Sequence, residues 1–423
     1  MDADVVVVGG GLAGSVTALG LARHGHEVVM LDRQRFPRDK VCGEGLMPHG
    51  VAALQDLGID PRPLGHPFHG IAYHLPDCTA VGTFPVGSGV GVRRYALDAA
   101  LHRAAGHALQ VRTGVTVRGI SGQPGAMRVH TRTGVWRCRA VVGADGLHSR
   151  VRRAAGLHRE ARGRKRYGVR AHFRLAADAV PRELVDVYVS DGCELYLTPV
   201  ADRGVNVAAL VEASAARRFR GDPAAELARR IAACPPVAQR LIGATPLSPT
   251  AVTGPLKQAS TGVVADGVVL VGDAAGFVDA ITGEGMSLSL QSAAIAVEVL
   301  SDGLRRGRLR REHLRAYEVR RARELRQQLW LTELILWGIR YRPLARRVVQ
   351  NLSRHPDLFG QILAINTGHA SLASLGPRGV KRALFGGGTL PSPPSVADWA
   401  APRTRQGASA GAAGVDGTAS GPS

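Results

Sequence analysis

The chain has 423 residues, of which 45% are hydrophobic, and its 54 Lys and Arg against 34 Asp and Glu give a formal net charge of +20. This length predicts two or three packed units. The spread of arginine along the chain, with few interleaved aromatics, argues against nucleic-acid binding as the reason for the charge. Five cysteines without a CxxC pair indicate neither a metal site nor a disulfide framework. We expect a cytoplasmic protein, because the first apolar run is too short for a signal peptide or a membrane span.

The first segments predict a strand, a helix and a second strand. Val5 to Val8 form an apolar, β-branched run typical of a buried parallel strand, and Leu12 to His24 have helical periodicity. Gly25 is suited to end that helix in a left-handed conformation. The run from Val28 to Leu31 then completes a βαβ unit.

A glycine turn joins the first strand to the helix. Gly9, Gly11 and Gly14 have the G-x-G-x-x-G spacing, which permits a tight turn, close approach to a pyrophosphate and close helix packing. The helix N-terminus favours the phosphates, and Asp32 at the end of the second strand is placed to accept a ribose hydrogen bond. The spacing predicts a dinucleotide site, open at this point to NAD or FAD.

Later segments predict a second unit and a discontinuous first one. Alternating runs between 167 and 212 are typical of antiparallel strands, and a buried strand with a glycine turn returns after Thr261. The basic stretch after Ser301 predicts helices with an apolar face in the core, and peripheral membrane contact is the less favoured alternative. We predict a nucleotide domain at 1–155 and 259–300, a substrate domain at 156–258, a helical segment at 301–387 and a disordered tail at 388–423.

Two downstream segments distinguish FAD from NAD. The segment 141–150 contains Asp145 and Gly146, and the segment 272–276 begins with Gly272 and Asp273. Both resemble fingerprints of the flavoprotein aromatic hydroxylase and geranylgeranyl-reductase superfamily. The resemblance implies an FAD-binding α/β fold in which Asp273 contacts the ribityl chain. It also implies that Asp145 and Gly146 lie near the pyrophosphate and the approach of a nicotinamide donor.

A further segment narrows the resemblance. Residues 37–46 read PRDKVCGEGL, with Arg38, Cys42 and Gly43 in the positions of a signature of the geranylgeranyl-reductase branch. Arg94 begins an R-x-x-L-D element, and the resemblance implies that its side chain approaches the flavin. We expect Cys42 to pack beside the flavin rather than to act as a nucleophile.

The segment 279–285 is expected to open another helix beside the flavin. In the similar proteins the amides of this loop lie beside the pyrimidine ring, which implies roles for Gly283 and Gly285. Reduced flavin carries negative charge there, and a helix N-terminus stabilises it. Ala280 replaces a proline that is common in those proteins.

The substrate side carries weaker signals. Glu194 to Pro199 occupy the place of an aromatic segment of prenyl-chain reductases, and Glu194 and Thr198 predict a more polar wall. No W-x-W-x-I-P segment is present, so halogenation is not expected. Glu44, His49 and His148 are candidate proton donors from their positions in or beside the motifs. No residue is assigned a catalytic role.

These observations favour a monomeric or weakly dimeric enzyme in which NAD(P)H reduces FAD and oxygen is inserted into a small organic substrate. Reduction of an isoprenoid double bond, with a ferredoxin-type donor as an alternative electron source, is the first rival. A non-catalytic escort of prenylated proteins is the second rival, although such a protein needs neither later FAD fingerprint. The substrate, the choice between NADH and NADPH and the oligomeric state are left open.

Overall fold

The computed structural model describes residues 1–179, 182–190, 192–338, 341–376 and 379, which form a mixed α/β fold. The strands are β1 (Ala3–Val8), β2 (Val28–Asp32), β3 (Gly45–Leu46), β4 (His66–Phe68), β5 (Gly70–Leu75), β6 (Cys78–Thr83), β7 (Gly89–Gly91), β8 (Gln110–Thr113), β9 (Val117–Gln123), β10 (Ala126–Thr131), β11 (Val135–Gly143), β12 (His158–Arg159), β13 (Arg166–Arg174), β14 (Leu184–Ser190), β15 (Cys193–Val200), β16 (Gly204–Glu212), β17 (Thr245–Pro246), β18 (Ala251–Thr253), β19 (Ala259–Ser260), β20 (Val264–Ala265) and β21 (Val268–Leu270). The helices are α1 (Leu12–Arg23), α2 (Pro48–Gln55), α3 (Arg94–Ala108), α4 (Arg150–Ala154), α5 (Ala213–Ala216), α6 (Pro223–Ala232), α7 (Pro235–Arg240), α8 (Gly285–Arg306), α9 (Arg311–Glu324), α10 (Arg326–Gly338), α11 (Arg342–Arg354) and α12 (Pro356–Asn366). The predicted fold class is confirmed, with a nucleotide-type sheet, an antiparallel second sheet and C-terminal helices.

The first sheet has the strand order β20-β21-β11-β1-β2-β8. Strand β1 pairs in parallel with β2 and with β11, and the valines at 5–8 are buried because helices cover the sheet. Helix α1 packs against α3 and α8. Gly25 has φ +84°, as predicted for the residue that ends the helical region. Strand β21 pairs in parallel with β11, so the chain returns to this sheet after it has built the second one.

The second sheet has the order β17-β13-β16-β15-β14-β5-β6. Strands β13 to β16 form the antiparallel arrangement that the alternating runs predict. Two further strands come from the range 1–155, because β5 pairs in parallel with β14 and places Ile71 opposite Val185. A parallel pairing between such distant segments has no local sequence signature. The four domain ranges stay predictions. The second sheet combines strands from both sides of the predicted boundary between residues 155 and 156.

The two faces of the second sheet contact different neighbours, because successive side chains along a strand point to opposite faces. One face packs on α6 and α7 in a cluster that includes Val207 and Leu227. The other face includes Val185 and Leu210 and shares a cluster with α12. A Cβ on Gly82 would lie 2.6 Å from the Phe359 ring, so the glycine is needed where α12 crosses β6.

The C-terminal helices fulfil the expectation of core packing in part. Leu325 is buried, whereas Trp330 and Leu334 on α10 are exposed. The predicted tail at 388–423, and the end of the predicted helical segment at 301–387, lie outside the described residues. Within the described part of the chain, no helix is both long and apolar enough to span a bilayer. The same residues contain no group of three or more His, Cys, Asp or Glu side chains arranged to hold a metal ion.

Candidate active site

The glycine turn brings α1 against the end of β1. Gly9 has φ +105°, and a Cβ on it would lie 2.4 Å from the carbonyl oxygen of Ala144. A Cβ on Gly14 would lie 1.8 Å from the carbonyl oxygen of Gly9, so only glycine permits this approach. No side chain caps the start of α1 at Gly11. The first amides of α1 are therefore available to an anion.

Asp32 braces the turn from the neighbouring strand. Its Oδ2 accepts a hydrogen bond from the Gly10 amide at 2.7 Å, and its Oδ1 accepts one from the Gln34 amide at 2.7 Å. The side chain is buried. Each carboxylate oxygen accepts more than one hydrogen bond, so a ribose contact stays compatible with this arrangement.

Two arginines and one aspartate lie beside the start of α1. Asp98 is fully buried; its Oδ1 and Oδ2 each lie 2.9 Å from an Arg94 nitrogen, and Arg38 Nη1 lies 3.3 Å from Oδ2. A Cβ on Gly11 would lie 3.2 Å from an Arg38 nitrogen and 3.8 Å from an Arg94 nitrogen. Burial lowers the pKa of Arg38. Burial also acts to lower the pKa of Arg94, but Asp98 and Cys42 together outweigh it by charge attraction and hydrogen bonding, so the pKa of Arg94 is raised. One carboxylate thus neutralises only part of the positive charge beside the helix N-terminus, which favours a phosphate group there.

The segment around Cys42 joins the first unit to the second sheet. The Cys42 carbonyl accepts a hydrogen bond from Asn206 Nδ2 at 2.9 Å, and its sulfur accepts a weak one from the Glu44 amide at 3.4 Å. Asp39 pairs with Arg170 of β13 at 2.7 Å. These contacts fix the segment across the sheet.

The two FAD fingerprints differ in how their aspartates are used. Asp273 pairs with Lys40 at 3.1 Å, and the Gly272 amide donates to the Ser292 hydroxyl at 3.1 Å. The Asp145 carboxylate instead accepts hydrogen bonds from the Ser149 hydroxyl and the Arg150 amide at the start of α4. Asp145 thus caps a helix.

The 279–285 loop is held by the second sheet. Arg166 of β13 contacts Asp279 at 3.1 Å and also pairs with Glu194, while the Tyr196 hydroxyl donates to the Ile281 carbonyl at 3.1 Å. These anchors fix the loop although Ala280 replaces proline.

A single cavity connects most of these segments, with about 1430 Å³ of empty space including its open mouth. Of the predicted residues, those that line it are Gly11, Cys42, Gly43, Arg94, Gly146, Asp273, Gly283 and Gly285. Those that do not line it are Gly9, Gly14, Asp32, Arg38, Asp145 and Gly272. The opposite wall comes from the second sheet and includes Ile71, Tyr73, Val185, Val187, Tyr196, Thr198, Ala208 and Leu210.

The three candidate proton donors occupy different places. Glu44 lines the cavity and is 1% exposed. His49 lies outside the lining, 3.3 Å from buried Glu284, whose pKa is raised by burial. His148 is exposed and does not line the cavity, so Glu44 is the one of the three candidates that faces it.

Sequence reasoning missed the residues of the second sheet that hold the cofactor-motif segments. These are Arg166, Arg170, His172 and Asn206. Alternation along β13 places Arg166, Arg170 and His172 on one face, so a charged row on a strand was the available signal.

The comparison with known proteins agrees with this geometry. A family model described as an FAD binding domain matches residues 2–330. The chain belongs to this FAD-binding family. It is also 30% identical over 325 residues to a menaquinone reductase of Mycolicibacterium smegmatis, covering 71% of this chain and 77% of that protein. Over 355 residues it is 30% identical to a digeranylgeranylglycerophospholipid reductase of Methanothrix thermoacetophila, covering 78% of this chain and 85% of that protein.

Solved structures share the fold of this FAD-binding family member. A flavoprotein/dehydrogenase from Cytophaga hutchinsonii has a TM-score of 0.76 at 20% identity, covering 90% of this chain and 96% of that one. The flavin-dependent halogenase CmlS has a TM-score of 0.69 at 22% identity, covering 78% of this chain and 62% of that one. FAD fits the residues present, because the uncapped helix start and the arginines beside Gly11 suit its pyrophosphate.

Proposed function

We propose that this FAD-dependent oxidoreductase reduces a carbon–carbon double bond of an apolar, isoprenoid-type substrate. The observation that carries the proposal is the wall opposite the cofactor motifs. Val185 and Val187 of β14 and Ala208 and Leu210 of β16 present apolar side chains on either side of the Tyr196 ring of β15, and Ile71 of the adjacent β5 extends this largely apolar wall. Such a surface suits a hydrocarbon chain, which binds by removing apolar area from water.

The segment from Glu194 to Pro199, which occupies the place of the aromatic segment, presents fewer polar groups to the cavity than its sequence indicates. The Glu194 carboxylate pairs with Arg166 and lines a separate polar groove, not the cavity. Burial raises the pKa of Glu194. Thr198 does line the cavity. Of the two polar residues of this segment that argue against a prenyl substrate, only Thr198 therefore faces the cavity.

The names of the relatives also favour double-bond reduction over oxygen insertion. Two proteins that are 30% identical over most of this chain are called reductases of a menaquinone and of a digeranylgeranylglycerophospholipid. We therefore rank double-bond reduction above oxygen insertion, which the sequence favoured. NAD(P)H is the electron donor that we propose, with a ferredoxin-type protein as the alternative.

Reduced FAD supplies a hydride when it is bound, and the residues of this chain supply the setting. We propose that the start of α1, with Arg38 and Arg94, holds the pyrophosphate and that the 279–285 loop holds the ring. The apolar wall orients the substrate and excludes water, which strengthens electrostatic interactions within the site.

Oxygen insertion is the second candidate, favoured by two tyrosines in the cavity wall. Burial raises the pKa of both Tyr73 and Tyr196 above the ordinary value, so both stay neutral phenols able to donate hydrogen bonds. The Tyr196 hydroxyl already donates to the Ile281 carbonyl. A hydroxylated aromatic substrate would use the Tyr73 hydroxyl.

Product mass separates the candidates. The yellow protein is incubated with NADPH, or with reduced ferredoxin, and a menaquinone or a geranylgeranyl lipid, with and without oxygen. A gain of two hydrogens in the isoprenoid chain, measured after any quinol has been reoxidised, supports the reductase, whereas a gain of one oxygen atom supports the monooxygenase. A colourless protein that FAD cannot reconstitute would contradict both and favour an escort role.

A matched pair of substitutions tests the apolar wall. Val187→Trp should fill the cavity and abolish turnover of a prenyl substrate while FAD stays bound. Val81→Trp is the control, because Val81 lies on the same sheet with 37% of its surface exposed. Equal turnover by the two variants would refute the placement of the substrate.

A further inference from the structure

Glu44 occupies an unusual position in the cavity wall. Its φ of +62° lies in the left-handed region, which residues other than glycine rarely adopt. It is nevertheless 1% exposed and lines the cavity. Its Oε1 accepts a hydrogen bond from the Arg94 amide at 2.8 Å. Such a conformation persists only where the surroundings determine it, and such residues cluster at functional sites.

The other oxygen of Glu44 begins a chain of hydrogen bonds that leaves the cavity. Glu44 Oε2 lies 2.6 Å from His172 Nε2, and His172 is fully buried. His172 Nδ1 lies 2.8 Å from the Ser248 hydroxyl. Ser248 is half-buried and is followed by the exposed Pro249, whose carbonyl oxygen, 3.3 Å away, is an alternative acceptor for the single hydroxyl hydrogen. The path therefore runs from the cavity wall to the protein surface.

The neighbours of this path include further charged and titratable groups. On the cavity side these are Arg94 and Cys42, and beside Ser248 they are Arg170 and its partner Asp39. The arginines stay protonated at all pH values of interest, so they do not exchange protons. The Glu44 carboxylate and the His172 imidazole, joined by a hydrogen bond, are the titratable pair on the path between the cavity and solvent.

We propose that Glu44 and His172 take up one proton when two electrons enter the bound FAD, and that Ser248 connects the pair to solvent. The inference rests on FAD-dependent redox chemistry, but not on the choice of substrate. Electrons in the ring add negative charge to the cavity, and a nearby negative charge increases the proton affinity of a titratable pair. The reductant supplies the two electrons, solvent supplies the proton through Ser248, and the proton leaves by the same path on reoxidation.

The first test is the pH dependence of the reduction potential of bound FAD, measured by dye equilibration. One additional proton per two electrons changes the equilibrium tenfold per pH unit, which is about 30 mV. The slope of wild type should therefore exceed that of Glu44→Gln and His172→Gln by about 30 mV per pH unit. Glu44→Gln keeps an oxygen for the Arg94 amide, so the wall should stay folded.

A control separates proton uptake from the loss of a histidine–serine hydrogen bond as such. His26 Nε2 lies 2.8 Å from the Ser301 hydroxyl, in a histidine–serine pair that does not line the cavity. His26→Gln should therefore retain the wild-type slope. Equal slopes in wild type, Glu44→Gln and His172→Gln would overturn the proposal. A wild-type protein that binds no FAD would instead overturn the proposed function.

The second test addresses the connection to solvent. Reduced methyl viologen donates electrons without releasing protons, so a pH indicator in stopped flow records proton uptake directly. Ser248→Ala should keep the wild-type slope of potential against pH but slow the uptake by about tenfold or more. Ser301→Ala is the control and should leave the rate unchanged. An unchanged uptake rate in Ser248→Ala would contradict the path through Ser248.

Discussion

Gly14→Ala tests whether the closeness of α1 to the glycine turn determines FAD binding. The added Cβ would lie 1.8 Å from the Gly9 carbonyl oxygen, which is 1.6 Å short of the 3.4 Å where ordinary contact begins. Backbone atoms on both sides resist this shift, so the cost should reach the upper end of the usual overpacking range of about 1–3 kcal/mol. If the apoprotein relaxes this strain by moving α1 away from the turn and FAD binding restores it, a loss of that size corresponds to a roughly 100-fold weaker affinity for FAD.

The assay is titration of the apoprotein with FAD, followed by flavin fluorescence, together with thermal unfolding. Gly106→Ala in α3 is the matched control, because a Cβ there meets nothing within 4 Å. This control should keep the affinity and gain about 0.4–1 kcal/mol of stability by restricting the unfolded chain. An affinity of Gly14→Ala within threefold of wild type would refute the reasoning.

Three further substitutions test the ion pairs and the loop anchor. Asp98→Asn leaves the buried Arg94 and the half-buried Arg38 without their carboxylate and should cost about 3–5 kcal/mol in urea unfolding of the apoprotein, whereas Asp60→Asn at an exposed pair should change little. Burial raises the pKa of Asp186, but its histidine and two arginine partners outweigh burial and lower it below 3.8. The stability advantage of wild type over Asp186→Asn should therefore be present at neutral pH and shrink as the pH falls below 3.8; an advantage independent of pH would contradict this. Tyr196→Phe leaves the buried Ile281 carbonyl without its hydrogen-bond donor and should lower stability in thermal unfolding by about 1–3 kcal/mol. Tyr95→Phe, at an exposed position, is the control and should leave stability unchanged.

Features with a local cause were predictable from the sequence. The glycine at position 14 is required by a contact within one turn, with the Gly9 carbonyl oxygen, and the strand patterns of β13 to β16 belong to one strand at a time. The contact of Asp145 with the start of α4 also had a local signal. Ser149, four residues after Asp145, is a typical N-cap residue directly before the helix, and the Asp145 carboxylate accepts from the first helical amide. The resemblance implied a place near the pyrophosphate and the approach of a nicotinamide donor instead.

Features that depend on distant segments were not predictable. Glu44 and His172 are far apart in the sequence and meet only because the motif segment crosses β13. The charge of Glu194 was visible, but its partner Arg166 lies on another strand of the sheet. A polar residue in a strand therefore indicates a polar wall only when its partner is also known.

The insertion of β5 and β6 into the second sheet has a consequence for protein engineering. The chain passes from one unit to the other before the first sheet is complete, so neither unit corresponds to a continuous stretch of sequence. Transplanting the substrate wall onto another flavoprotein would require two separate segments to be exchanged together. Cleavage of the backbone near residue 160 should likewise leave the two fragments associated, because both contribute strands to the second sheet. The structural units of this enzyme are therefore contiguous in space but not in sequence.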